Sequence, residues 1–290
     1  MPKRFPSLVL AYCERFFEKP IRELTALAGG DINIAYRFKV EEKAYFIKYN
    51  TANFAEDMFQ KEAMGLAYLR QATECIIPEV IDTNRVGQHA FLILRFLPTE
   101  TANFDYWGKL GKALAQLHRI SAPNFGLDHD NYIGKLPQSN RQKAKWIDFF
   151  LAERLQPQIK KGVDQGILTS DIQRQFERLN QRLPQLLPEE KPSLLHGDLW
   201  RGNTMAGLGQ KPILIDPAVY FGHREMDLAM TRLFGGFPMT FYAHYQQNFP
   251  LEKDYEERLE IYQLYYLLVH VNLFGVAFLG QVANILKKHQ

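Results

Sequence analysis

A chain of 290 residues that is 46% hydrophobic and 13% aromatic, with 35 basic against 32 acidic residues and a formal net charge of +3, suits one large domain or two lobes and is not disordered by composition. The near-neutral balance gives no support to general nucleic-acid binding, which usually shows a basic stripe. Cys13 and Cys75 are the only cysteines and form no C-x-x-C pair, which argues against a disulfide framework and leads us to expect a reducing, cytoplasmic setting.

The N-terminal run MPKRFPSLVLAYCERF is broken by charge within a few residues and makes a poor signal peptide. RELTALAGGDINIAYRFKV (22–40) reads as two β-type runs around a Gly-Gly-Asp turn, and AYFIKYN (44–50) as a third strand. NFAEDMFQKEAMGLAYLRQA (53–72) has apolar residues at helical spacing and predicts an amphipathic helix. EVIDT and HAFLILRFL (89–97) predict two more strands, the second apolar enough to be central. The first hundred residues thus read as strands with one helix.

At PTETANFDYW (98–107) the composition turns polar, and helices dominate beyond it. WGKLGKALAQLHRI (107–120) is a predicted helix, and APNFGLDHDNYIGKLPQSN (122–140) a long irregular loop, of a length usually functional when ordered. Helical stretches follow near 141–161 and 169–187. PSLLHGDLWRGNTM and KPILIDPAVYFG read as loops flanked by short strands, and from Arg224 onward the pattern is helical again. The run YQLYYLLVHVNLFGVAFLG (262–280) is long enough to span a membrane, but Gln263, His270 and Asn272 lie in it and Gly275 interrupts it. A buried helix or helix pair fits better. The expected fold is α+β and bilobal, with a small antiparallel-sheet lobe over 1–97 and a larger, mainly helical lobe over 98–290.

The densest chemistry lies in LLHGDLWRGN (194–203). Asp198 and Asn203 are five apart, matching the D-x-x-x-x-N of the kinase catalytic loop, in which the aspartate accepts a hydroxyl proton and the asparagine holds a metal. His196 stands two before Asp198. Gly197 occupies the place of the arginine that would pair with an activation-loop phosphate, which argues against a phosphorylation-controlled protein kinase. Asp216 ends the strand-like ILID, thirteen positions after Asn203. Opposite an asparagine, its carboxylate suits a hard cation bridging phosphate oxygens. Any one of these residues alone could be a turn former. Together with His196, and with a strand before each acid, they point to a site.

Lys48, inside an apolar strand, must find an anion or reach solvent, and Glu62 in the following helix offers the anion. The pair resembles the strand lysine and helix glutamate that position the α- and β-phosphates in kinases. The turn AGGDIN (28–33), with Gly29, Gly30 and Asp31, falls where a kinase covers phosphate with backbone. It lacks G-x-G-x-x-G but allows close backbone approach. LILRFLP (92–98) lies where the lobes would join, so the backbone of Arg95, Phe96 and Leu97 is expected against adenine. Asp227 and Arg224, at the start of a helix, read as braces for the metal loop.

These stretches, with KEAMGL, NYIGKLPQSN, IDPAVYFGHREMDLAM and LFGGF, resemble the aminoglycoside phosphotransferase-like group of small-molecule kinases, and within it the fructosamine/ketosamine-3-kinase family. They run in the expected order from about 28 to 237. The chain departs from related kinases at Arg95, where those often carry an acidic residue. The resemblance implies a protein-kinase-like fold, ATP and Mg²⁺, and phosphorylation of the 3-hydroxyl of a ketosamine, free or on a glycated protein, as a deglycation step. No nucleic-acid or membrane partner is implied. On the acceptor side it points to Trp200, Tyr220 and His223, and to Asn131, Gln138 and Asn140 in the 131–140 loop. Trp200 could equally be core, and that loop could be a lid over the sugar or packing. Two rival readings stand beside this one: a kinase of the same fold for another alcohol (an aminoglycoside, choline or a homoserine-like acceptor), and a nucleotide-binding scaffold without catalysis.

Overall fold

The computed structural model describes residues 5–28 and 32–289, so Gly29, Gly30 and Asp31 lie outside the described residues. After α1 (Ser7–Phe17) come β1 (Arg22–Leu27), β2 (Ile34–Val40), β3 (Lys43–Asn50), α2 (Ala55–Ala72), β4 (Val80–Val86) and β5 (His89–Arg95). The strands make one antiparallel sheet in the order β1-β2-β3-β5-β4. Strand alternation divides its faces. Tyr45, Ile47 and Tyr49 of β3 join Phe91 and Ile93 of β5 in one apolar cluster. Lys48, opposite Leu92 in the register, points to the other face, which α2 covers. Met58, Phe59, Leu66 and Leu69 form the buried stripe of α2, and Glu62 falls on that stripe.

The sequence pattern predicts one helix in this part, and the structure adds α1. It lays Val9 and Cys13 on the outer face of the sheet, against Phe38 and Ile47. Only those two of its residues are buried, a stripe too narrow to stand out in the sequence. Both cysteines, Cys13 and Cys75, are free and buried.

The chain leaves the sheet through β6 (Thr99–Glu100) and enters α3 (Phe104–Leu117), where the Asn103 side chain caps the helix by accepting from the Asp105 and Tyr106 amides. The stretch 122–140 is not wholly irregular. It carries a hairpin of β7 (Asn131–Ile133) and β8 (Leu136–Gln138), strands too short to show a period of two. Next come α4 (Trp146–Phe149), a π-helical segment (Phe150–Leu155), α5 (Gln156–Asp164) and α6 (Ser170–Leu186). Then β9 (Ser193–Leu195), β10 (Thr204–Gly207), β11 (Lys211–Leu214) and β12 (Tyr220–Gly222) lead into α7 (Glu225–Arg232), α8 (Met239–Asn248), α9 (Tyr255–Phe274) and α10 (Leu279–Lys288).

The stretch 262–280 is the end of α9, a break at Gly275 and the start of α10. Its polar groups are used inside the protein, Gln263 donating to the Ala229 carbonyl and Asn272 to Gln158. Among the described residues no helix is long and apolar enough to cross a membrane. One apolar cluster runs from the α2 face of the sheet into the helical part. That shared core sets Lys48 opposite the loops between β9 and β12.

Candidate active site

Strand pairing builds the site. β9 pairs with β12, Leu195 opposite Tyr220, and β10 pairs with β11, Thr204 opposite Leu214. The loops 196–203 and 215–219 are therefore held side by side between two short ladders. Cross-links fasten them: the Ala218 amide donates to the His196 carbonyl at 2.9 Å and the Ile215 amide to the Asn203 carbonyl at 3.1 Å. Gly197 is needed at this crossing. Its φ is +84°, and a Cβ there would lie 2.0 Å from the Ala218 carbonyl oxygen.

His196 is fully buried and joins the two loops. Its Nδ1 accepts from the Asp198 amide at 3.3 Å, so Nε2 carries the proton and donates to the Ile215 carbonyl at 3.0 Å. Burial depresses its pKa in spite of the Asp227 carboxylate nearby, and the ring is neutral near pH 7. Asp227, at the start of α7, accepts from the His196 amide at 2.8 Å and the Gly197 amide at 2.9 Å. His118 meets the same carboxylate at 3.2 Å and the Tyr245 hydroxyl at 2.8 Å. Asp227 thus braces the 196–198 backbone directly. Arg224 lies elsewhere, bidentate to Glu190 at 2.9 and 2.8 Å.

Asn203 donates through Nδ2 to the Asp198 carbonyl at 2.8 Å and to its carboxylate at 3.1 Å. That leaves its amide oxygen as the group able to face a cation. Burial, with Asp216 and Asp227 nearby, pushes the Asp198 carboxyl up to about 7 against the pull of Asn203. A carboxylate tuned to that range suits proton transfer near neutral pH.

Lys48 Nζ lies 2.7 Å from Glu62 Oε2 and 2.8 Å from Asp216 Oδ1. Two carboxylates share one ammonium. Burial works against the Lys48 charge, yet Asp216 and Glu62 together hold its pKa above the ordinary lysine value. Burial also lifts Glu62, to about 7, against Lys48. The Asp216 side chain keeps 47% of its surface open; burial is still the largest single influence and raises it, but Lys48, together with Glu62 and His196, outweighs burial and holds the carboxyl below its ordinary value. The negative charge settles on Asp216. Its φ of +51° is left-handed in a non-glycine residue, a conformation that costs energy and clusters at functional sites. Asn203 and Asp216 present oxygen donors, the chemistry a hard cation takes. Among the described residues no cluster of three or more histidine, cysteine or carboxylate side chains could hold a metal unaided, so a cation here would complete its shell with phosphate oxygens and water.

At the exit of the sheet the amides of Arg95 and Phe96 are taken by the Glu79 and Ala44 carbonyls, at 2.8 and 3.1 Å. The Arg95 guanidinium packs 4.6 Å over the Tyr45 ring and Phe96 lies under Arg37. Leu97 is half-buried beside them.

The acceptor-side expectations need correction. Trp200 is 37% exposed, edge-on to Phe234 at 6.4 Å, and open to a ligand. Tyr220 and His223 are fully buried. Tyr220 lies beneath the Arg154 guanidinium at 3.9 Å, and His223 stacks on Tyr262 at 5.3 Å, so neither presents a surface to an acceptor. Asn131, Gln138 and Asn140 are buried as well, with their amides bonded to one another and to the 218–219 backbone. The hairpin is packed against the 218–219 backbone through these buried amides. The sequence reasoning missed Arg154 and His118. An arginine set in FFLAERL and a histidine closing the apolar ALAQLH run were the available signals.

The fructosamine kinase family model matches residues 9–290. A Vibrio parahaemolyticus protein named probable ketoamine kinase is 41% identical over 275 residues, which are 94% of this chain and 94% of that one. A crystal structure from Thermobifida fusca, whose name gives fructosamine-3-kinase as a provisional assignment, superposes with a TM-score of 0.86 at 28% identity, covering 97% of this chain and 98% of that one. A thermostable mutant of the aminoglycoside phosphotransferase APH(4)-Ia, in ternary complex with ADP and hygromycin B, shares the fold at a TM-score of 0.66 and 16% identity, over 97% of this chain and 98% of that one.

Proposed function

This chain belongs to the fructosamine kinase family, and we propose that it transfers the γ-phosphoryl group of ATP to the 3-hydroxyl of a ketosamine, free or carried on a glycated protein. The reaction class, ATP-dependent phosphotransfer to an alcohol, follows from the family and from the kinase-like fold. Residues 1–97 serve as the nucleotide-binding part and 98–290 as the catalytic and acceptor part. A cytoplasmic setting suits the free thiols of Cys13 and Cys75.

The observation that carries the reading is Asp198: a carboxylate poised near 7, oriented by Asn203, on a loop fixed at His196 and Gly197. Asp198 accepts the proton of the acceptor hydroxyl as the oxygen attacks phosphorus. The transition state of such transfers is loose, so Asp198 contributes orientation at least as much as basicity. Lys48, held between Glu62 and Asp216, orients the phosphates, and Gly29, Gly30 and Asp31, outside the described residues, are assigned to nucleotide binding from their place in the sequence alone. The Arg95 and Phe96 amides are already bonded, which favours Leu97 as the amide that meets adenine. Asn203 and Asp216 would hold Mg²⁺, which when bound neutralises charge on the phosphate oxygens. On the acceptor side Trp200 offers an aromatic face to the substrate's cationic amine.

An assay of ADP release over an acceptor panel tests this reading. Fructosamine- and ribulosamine-type compounds are expected to be turned over in preference to the parent sugars, which lack the amine. Better turnover of free fructose or of an aminoglycoside than of every ketosamine would overturn it.

A further inference from the structure

Arg154 is fully buried in the π-helical segment between α4 and α5. Its charge is met by oxygens and ring faces. Nη1 donates to the Ser139 and Glu153 carbonyls, Nη2 donates to Asn140 Oδ1 at 2.7 Å, and the guanidinium lies 4.5 Å from the Phe149 ring and 3.9 Å from the Tyr220 ring. π-Helical turns inside α-helices cluster at functional sites, and the mechanism above leaves this arginine without a task.

Arginine can only donate. Asn140 must therefore turn its oxygen to Arg154 and its NH₂ to Asn131 Oδ1, at 3.0 Å. Gln138 donates to the same oxygen at 2.8 Å, with its own oxygen accepting from the Tyr265 hydroxyl at 2.6 Å. With Oδ1 doubly bonded, Asn131 must present its NH₂ outward, and it donates to the Val219 carbonyl at 2.8 Å. Gln138 adds a longer contact to the Ala218 carbonyl at 3.3 Å. Every amide orientation in the chain follows from the cation at its start, and chained donors of this kind strengthen one another.

The chain ends where the two site loops cross. The residue gripped through its carbonyl by Gln138, Ala218, uses its amide to hold the His196 carbonyl at 2.9 Å. Helix α2 closes on the same segment as well, since a Cβ on Gly65 would lie 3.4 Å from Val219 and 3.5 Å from Pro217. The hairpin is itself tied to α2 by the Tyr132 hydroxyl, which donates to Asp57 at 2.8 Å. We propose that Arg154, Asn140, Gln138 and Asn131 are positioning residues, a one-directional hydrogen-bond chain that fixes the 217–219 backbone and through it the loop carrying Asp198. The functional part of this proposal rests on the reading of Asp198 as the base.

Two variants break the chain at different links. Asn140→Asp keeps an oxygen on Arg154, and adds a counter-charge there, but loses the donor to Asn131. Asn131→Asp loses the donor to Val219. For at least one folded variant, amide hydrogen exchange in the protein free of nucleotide and metal should rise in segments 196–198 and 216–219 and stay unchanged in the sheet. Its kcat should fall about 10- to 100-fold, the scale expected for a small misplacement of reacting groups, with KM for ATP within about twofold. Unchanged exchange in both segments, or a kcat within about twofold of wild type, would overturn the proposal. So would failure of both variants to fold, since the chain would then serve stability alone. Asp198→Asn, assayed alongside, separates the two layers: wild-type turnover in that variant sinks the base assignment, while the exchange data still decide whether the chain braces the loops.

Discussion

Asp198 carries an acid–base signature that can be read without any substrate. Burial and its acidic neighbours raise its carboxyl to about 7 in the folded protein, against about 3.9 in an unfolded chain. A carboxyl raised on folding lends stability that is complete below the unfolded value and is lost as pH climbs through the folded one. Asp198→Asn removes that dependence. In chelator and without nucleotide, the Tm of the variant relative to wild type should therefore rise between pH 5 and pH 8. A Tm difference flat across that window would mean that Asp198 is not buried against its charge. The convergence of Lys48, Glu62, Asp198, Asn203 and Asp216 was legible because those residues sit in local patterns: a fixed spacing in one loop, an acid at a strand end, a charge on an apolar strand. Tyr220, His223, Asn131, Gln138 and Asn140 were legible as special but not in their placement. Nothing in a three-residue strand such as β12 tells which face it buries, and a buried amide looks the same in sequence as one that binds sugar.

The crossing of loops 196–203 and 215–219 leaves almost no room for change. Gly197→Ala would put a Cβ 2.0 Å from the Ala218 oxygen and an alanine in the left-handed region, which alone costs about 1–2 kcal/mol. Thermal melts and steady-state kinetics should show a lower Tm together with a fall in turnover of roughly 10²-fold, since the backbone beside Asp198 must shift to make room. Near-normal turnover in a folded variant would show that the crossing does not set the geometry of Asp198. The sheet and α2 were readable from alternation and helical spacing. Helix α1 was not, because a helix that covers one face with two side chains has almost no stripe to detect. The β7–β8 hairpin escaped because its three-residue strands are too short to show a period of two, and its buried amides pair across the strands, Asn131 opposite Gln138.

At the scale of the molecule, the apolar cluster continuous from the α2 face of the sheet into the helical part ties the Lys48 strand to the loops 196–203 and 215–219, so ligand held between them should stabilise the whole chain. A nucleotide at about 100 times its Kd adds about 2.7 kcal/mol, which for a chain of this size is a Tm rise of roughly 5 °C. The rise should need Mg²⁺ for its full extent, and Asp216→Asn should remove the Mg²⁺-dependent part while leaving that of nucleotide alone. An identical rise with chelator present would detach Asp216 from the metal. The general kinase pattern was legible in the order and spacing of the motifs along the chain, whereas the shared core arises from long-range packing that no local window contains. Transfer to a ketosamine hydroxyl through Asp198 is open to a direct test by ¹³C and ³¹P NMR of the product formed from ATP and a fructosamine. Wild-type protein should yield phosphate on carbon 3 of the intact ketosamine, with Asp198→Asn slower by roughly 10²–10⁴-fold; phosphate on another position, or a rate in Asp198→Asn within about tenfold of wild type, would contradict it.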